Sequence, residues 1–137
     1  MKVKLTGYAS LFNRPDLAGD EIAPGAFSKT LAARRASFVM LYQHDATRPI
    51  GHWTKLQETQ DGLWVEGELA EGVQLADEVA ALVGQGMLRG LSIGFRARRS
   101  TRGHGSTKRV LHEIDLVEIS LVTFPMQPLA VLHGPSD

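Results

Sequence analysis

The sequence predicts a mainly β domain of the α+β class, with at least two helices and its strands gathered in one closed or nearly closed sheet. Three observations lead there. Apolar residues alternate with a period of two in most long segments, as in Leu91, Ile93, Phe95 and Ala97, and show helical spacing in only two. Prolines and glycines separate these segments at intervals suited to turns and loops. A chain of 137 residues without cysteine fits a single core, residues 1–137, that rests on packing alone.

The elements follow in order. Residues 2–10 read as a first strand, with Val3 and Leu5, and Tyr8 as a further candidate, turned inward; "NRPDLAGDEIAPG" is then a long loop. "GAFSKTLAARR" places Phe27 and Leu31 one helical turn apart, with Lys29, Arg34 and Arg35 free to meet water. "SFVMLYQH" is a β-rich run, followed by the turn-forming "TRPIG". "GHWTKLQET" and "LWVEGELA" form a hairpin about "QDG", with Trp64, Glu66 and Glu68 on one face and Val65 and Leu69 on the other.

"VQLADEVAALVGQG" is the second helix, with Leu75, Val79 and Leu82 as its apolar stripe and Gly84 or Gly86 as its stop. From Leu91 a strand carries Ser92, Gly94, Arg96 and Arg98 on the face opposite the apolar residues, and "STRGHGSTK" connects it to the next. "RVLHEIDLVEISLVTF" is long enough for a strand to require a bulge or bend, and it ends at Pro125 and Pro128; residues 124–137 are a proline-containing loop and tail.

Composition narrows the function classes. An apolar share of 43% and a charged share of 22% are those of a soluble globular protein. Fifteen basic and fifteen acidic residues cancel, so no global field favours nucleic acid or an anionic membrane. The start "MKVKLTGYAS" lacks the apolar segment of a secretory signal, and no uninterrupted apolar run is long enough to span a bilayer, which implies a cytoplasmic protein. The lack of cysteine removes thiolate metal sites and Cys nucleophiles together, and neither a metal nor another cofactor is expected.

The segment "RGLSIGF" contains G-x-S-x-G, the pattern of a strained nucleophile turn in α/β hydrolases. Asp115 and His133 would even satisfy that fold's chain order. Two features oppose that fold: "IGFRARRS" after Ser92 alternates as a strand does, and an open sheet flanked by helices needs a much longer chain. The glycines alone could simply relieve crowding around a strand.

A serine nucleophile needs a base, and the base a third group to orient it. Of five histidines, His104 lies in a glycine loop, His133 in the tail and His52 beside Trp53 at the start of a strand. His44, closing a β-rich run before Asp45, is the best-placed base. Glu118 sits among Leu116, Val117, Ile119, Leu121 and Val122, where an unpartnered carboxylate would be costly, so it requires a partner. That partner is either a histidine or an arginine such as Arg96 or Arg98; Asp115 and His112 compete with Glu118 for the orienting role.

In order along the chain, "GYASLFN", "GDEIAPGAFSKTL", "LYQHDATRPIG", "GLWVEGEL", "GMLRGLSIGF" and "EIDLVEISLVTFPMQP" resemble the phage prohead proteases of the HK97 type, whose fold is related to the herpesvirus assemblins. The resemblance spans nearly the whole chain. It implies a serine endopeptidase on a compact β-barrel, with His44 and Ser92 as the catalytic pair and Glu118 as third member, where assemblins use a second histidine. Backbone donors to an oxyanion are expected from Gly94 or from the segment Thr123 to Gln127. That segment departs from the family pattern, reading "FPMQP" in place of F-P-A-N-P.

The expected substrate is a disordered region of a major capsid or scaffold protein, cleaved within a procapsid in a bacterial host, with no nucleic acid or membrane partner. A homodimer or higher homo-oligomer is expected, with dimerisation through "QLADEVAALVGQG" as the switch by resemblance to assemblins. Since the chain stops soon after "VLHGPSD", any scaffolding role is expected to lie in another polypeptide or in the capsid protein. The rival expectation is a capsid-assembly factor that keeps the barrel without cutting. A component of a domesticated phage or gene transfer agent would share the chemistry.

Overall fold

The computed structural model describes residues 2–33 and 38–136. Among these, eight strands and two helices follow in the order β1 (Lys4–Leu11), β2 (Asp20–Ile22), α1 (Ser28–Ala33), β3 (Phe38–Tyr42), β4 (Asp45–Glu58), β5 (Gly62–Leu69), α2 (Gln74–Gly84), β6 (Gly90–Arg102), β7 (Arg109–Val122) and β8 (Leu132–Ser136). None of the described helices is long and apolar enough to cross a membrane.

The strands make one sheet in the order β2-β7-β3-β4-β5-β1-β8, with β6 also on β7. β7 is its spine, antiparallel to β6 over nearly its whole length and parallel to β2 at residues 109–111 and to β3 at residues 119–121. The sheet curls until its far strands meet. Gly90 bridges Val131, the Leu91 N–H donates to the Ala130 carbonyl at 2.8 Å, and the Leu132 N–H to the Arg89 carbonyl at 2.8 Å. The nearly closed, mainly β architecture expected from the sequence is the one observed.

Alternating apolar side chains fill the interior, among them Leu5, Met40, Ile50, Leu63, Val65, Leu91, Ile119 and Leu121. Each such residue contributes about 1.5–3 kcal/mol by leaving water. Trp53 is wholly buried, and its indole N–H donates to the Ile119 carbonyl at 3.1 Å, tying β4 to β7. On α1, Thr30 faces inward: its hydroxyl accepts from the Leu116 N–H at 3.1 Å and lies 3.3 Å from the Ile114 carbonyl. Phe27, just ahead of that helix, is fully buried. Lys29 projects outward to Glu113; Arg34 and Arg35 lie outside the described residues.

Several local expectations need correction. Tyr8 is on the face opposite Leu5, as odd–even parity requires, packed edge-on against Trp64 at 5.1 Å between ring centroids. The first long loop holds a short strand, β2, because residues 20–22 find a parallel partner in β7. "TRPIG" belongs to β4; Pro49 is accommodated where the register with β3 shifts. β6 runs on through Arg102, so the connection to β7 is shorter than expected.

The buried stripe of α2 is Ala76, Val79 and Val83, with Leu75 and Leu82 packed at its margins; the small side chains let the helix lie close to the sheet. The stop at Gly86 is observed. Its φ of 75° lets the Gly86 N–H reach the Val83 carbonyl and the Met87 N–H the Leu82 carbonyl, a Schellman closure. The anticipated irregularity in the long strand is present: Gly94 pairs with Glu118 and Phe95 with Leu116, leaving Val117 as a bulge. Beyond the proline-containing loop, the chain returns as β8 against β1.

Candidate active site

The site is built on the β6–β7 ladder. Ser92 lies directly opposite Ser120, and Gly94 directly opposite Glu118, so these four positions share one face of the sheet. The Glu118 carboxylate occupies the space over Gly94, where a Cβ would stand 2.5 Å from Oε1 and 3.1 Å from both Cγ and Cδ. Glycine at residue 94 is therefore what admits the carboxylate.

His44 arrives from the other side of β7. β3 runs parallel to β7 as far as the Tyr42–Leu121 pair, and Tyr42 is also paired with Asp45 at the start of β4. The two residues between, Gln43 and His44, form the turn with φ of 54° and 60°. Such tight hairpins require left-handed backbone and usually recruit Asn and Gly. His44 is thus a turn residue, two positions beyond the end of β3 at Tyr42, where the sequence suggests that it closes the strand. The turn is clamped to β7 and its continuation: the Gln43 N–H donates to the Leu121 carbonyl at 2.9 Å, the His44 N–H to Ser120 Oγ at 3.0 Å, and the Gln43 amide to Thr123 Oγ1 at 2.8 Å.

His44 Nδ1 is hydrogen-bonded to Glu118 Oε1. The other carboxylate oxygen, Oε2, accepts the Ser120 hydroxyl at 2.6 Å. This bond to Glu118 raises the imidazole pKa above its ordinary 6.5, against the opposing effect of burial. Occupation of Nδ1 leaves Nε2 as the second ring nitrogen, the arrangement in which a neutral imidazole can accept a proton.

His44 and Ser92 line the same cleft, a pocket of about 200 Å³. Ser92 is 7% exposed. Ala9, Leu91, Ile93 and Phe95 supply apolar wall, while Arg14 and Asp16 enter from the loop after β1. Asp16 Oδ1 accepts the N–H groups of Ala18 and Asp20, and burial is the main influence raising its pKa.

The choices left open by the sequence have definite structural counterparts. The partner of Glu118 is His44; Arg98 pairs instead with Asp115. His112 Nε2 lies 2.9 Å from Thr101 Oγ1, farther along the β6–β7 hairpin. Asp115 and His112 are therefore engaged away from His44. His52, His104 and His133 are exposed, and His133 rests edge-on against Trp64.

Of the segment considered for oxyanion donors, Met126 and Gln127 line the cleft. Thr123 does not, and its N–H donates to Gln43 Oε1 at 3.2 Å. Sequence reasoning missed Ser120, Gln43, Arg14 and Asp16. Only Ser120 had a readable signal, since the alternation in "EIS" places it on the face of Glu118. Among the described residues, no group of three His, Asp or Glu side chains is arranged to hold a metal ion.

A strand-borne serine opening into a cleft, beside an imidazole held by a carboxylate, calls for comparison with peptidases. A family model described as caudovirus prohead serine protease matches residues 1–133. The chain belongs to this family. It is 38% identical over 121 residues to the prohead protease of Enterobacteria phage HK97, covering 87% of this chain and 54% of that protein. With the prohead protease of Escherichia phage T5 it shares 32% identity over 125 residues, covering 90% of this chain and 58% of the other. The chain thus spans a little over half the length of these relatives. Among solved structures, the KSHV protease in complex with a hexapeptide phosphonate inhibitor superposes with a TM-score of 0.68 at 15% identity, covering all of this chain and 66% of the other. That likeness concerns the fold, and it agrees with the herpesvirus-protease type of barrel expected from the sequence.

Proposed function

We propose that this prohead protease family member is a serine endopeptidase that cleaves capsid or scaffold protein during maturation of a phage or phage-like prohead. The observation that carries the proposal is that His44, paired with Glu118, lines the same cleft as Ser92. In this mechanism Ser92 Oγ attacks the scissile carbonyl, and His44 Nε2 takes the hydroxyl proton and then delivers it to the leaving amine. Water repeats the sequence on the acyl-enzyme, with the same imidazole as base. Glu118 holds Nδ1–H in place and stabilises the imidazolium formed in each half-reaction. The oxyanion would be met by backbone donors, with Gly94 and the cleft-lining residues Met126 and Gln127 as the regions to search.

The substrate would enter as an extended segment of capsid or scaffold protein, a role that the name prohead protease of the HK97 and T5 relatives supports. Action inside the procapsid, in the bacterial host, would restrict cleavage to assembled subunits. Dimerisation through α2 is the proposed control; exposed Val73 and Met87 flank its two ends, and concentration within a shell would drive association by mass action.

The test is the intact mass of the candidate capsid protein after co-expression with the wild-type chain or with Ser92→Ala. Shortening with the wild type alone is the expected result, and it would give the cleavage site. Equal masses, with shells assembling better in the presence of either version than without it, would overturn the peptidase assignment in favour of a binding factor.

A further inference from the structure

The geometry points to Ser120 as a positioning residue that locks the imidazole and carboxylate together, an inference that rests on the proposed peptidase function. Ser120 is wholly buried, at 0% exposure, in the middle of an otherwise apolar run of β7. A core position there favours an apolar side chain unless the hydroxyl has work to do. Its Oγ makes two hydrogen bonds of opposite sense: it donates to Glu118 Oε2 at 2.6 Å and accepts the His44 backbone N–H at 3.0 Å.

The consequence is a closed loop of contacts. Glu118 holds the His44 ring through Oε1, while Ser120 holds both the other carboxylate oxygen and the backbone of the same histidine. The ring and main chain of His44 are thereby referred to one strand through two adjoining groups. A carboxylate gripped at only one oxygen could rotate about its terminal torsion, which has a broad preference. The left-handed His44 backbone, at φ 60°, would also lose one of the bonds that stabilise it. Ser120 acts through Glu118 and His44 and takes no part in bond making.

Ser120→Ala should lower kcat by about 10–100-fold with KM nearly unchanged, because the defect lies in alignment of the base. Ser120→Thr, which retains the hydroxyl, should recover part of the loss. In a Glu118→Ala background, Ser120→Ala should have less than a threefold further effect on kcat, the non-additivity expected of residues acting as a unit. A structural role would lower stability without that coupling.

A readout independent of turnover is the downfield proton resonance of the His44–Glu118 hydrogen bond in Ser92→Ala protein. It should weaken or disappear on adding Ser120→Ala and survive with Ser120→Thr. Should Ser120→Ala fail to fold, Ser120→Cys supplies a similar shape with a poor hydrogen-bonding group and is held to the same expectations. Additive losses in kcat, or kcat within twofold of wild type together with an unchanged resonance, would overturn the proposal. A fully active Ser92→Ala enzyme would instead overturn the peptidase assignment, so the two failures are distinguishable.

Discussion

Gly94→Ala should disable the proposed peptidase without unfolding it. A methyl at residue 94 would stand 2.5 Å from Glu118 Oε1 and 3.1 Å from Cγ and Cδ. Relieving those contacts toward the roughly 3.5 Å optimum between carbon atoms requires the carboxylate to move by about 0.5–1 Å. The nearest obstructing atoms all belong to one side chain, and Gly94 is not among the left-handed glycines, so its backbone can accept alanine. The displaced carboxylate is the one that holds His44 Nδ1. A misplacement of about 1 Å in catalytic geometry can cost on the order of 100-fold. That corresponds to about 2.7 kcal/mol at 1.36 kcal/mol per tenfold. The assay is single-turnover cleavage of the capsid substrate beside thermal melting, with Tm expected to stay within about 4 °C of wild type, on the order of 1 kcal/mol. A kcat within twofold of wild type would refute the reasoning. So would a 100-fold loss that persists when the methyl is added to Glu118→Ala, where no carboxylate remains to be displaced.

Two further outcomes concern acid–base behaviour and stability. The proposed mechanism needs neutral His44, whose pKa is raised above 6.5 chiefly by Glu118, so the acid limb of kcat/KM should have its midpoint above 6.5, and Glu118→Gln should move that midpoint down while lowering the rate. The same raised value means that the pair stabilises the fold fully below pH 6.5 and that this contribution is lost as pH rises through the folded-state pKa; the melting difference between wild type and Glu118→Gln should shrink over that window. Gly86→Ala meets no atom within 4 Å, but it forces alanine to a φ of 75°; it should cost about 1–2 kcal/mol and lower Tm by about 4 °C or more, with cleavage unchanged at temperatures where the protein is folded.

Much of the fold was legible because period-two alternation is a local property. It marked β5, the starts of β1 and β6, and the whole of β7, including its need for a bulge. What stayed hidden depended on distant partners. Residues 20–22 carry little strand signal and become β2 because β7 offers them a parallel edge. The stripe of α2 was misjudged because periodicity alone ranks Leu75 and Leu82 above Ala76, whereas close approach to the sheet rewards the smaller side chain. At the site, a carboxylate in an apolar run signalled that Glu118 needed a partner. Which partner followed only from β3 lying beside β7, and hence from tertiary pairing.

The placement of His44 shows how a histidine from one segment is held on a carboxylate from another, in a cleft it shares with Ser92. Ser92 is fixed across the β6–β7 ladder, and Glu118 belongs to β7 itself. His44 sits in a turn whose two residues adopt left-handed backbone without glycine, a conformation costing about 1–2 kcal/mol per residue for most side chains. A turn in so unfavourable a state keeps its shape only where its surroundings over-determine it. Here the restraints come from Ser120, Leu121 and Thr123, all on β7 or immediately after it. Every distance among the three groups is therefore measured from one strand, and a change in the curvature of β4, β5 or β1 need not be transmitted to the site. The left-handed turn also lifts the imidazole off the end of β3 toward the face carrying Glu118. A regular strand continuing through residue 44 would have placed its side chain on the face of Met40 and Tyr42, opposite the face that Leu41 shares with Ser120 and hence with Glu118. The strained turn is thus the structural condition for bringing a parallel-strand histidine onto the carboxylate of its neighbour.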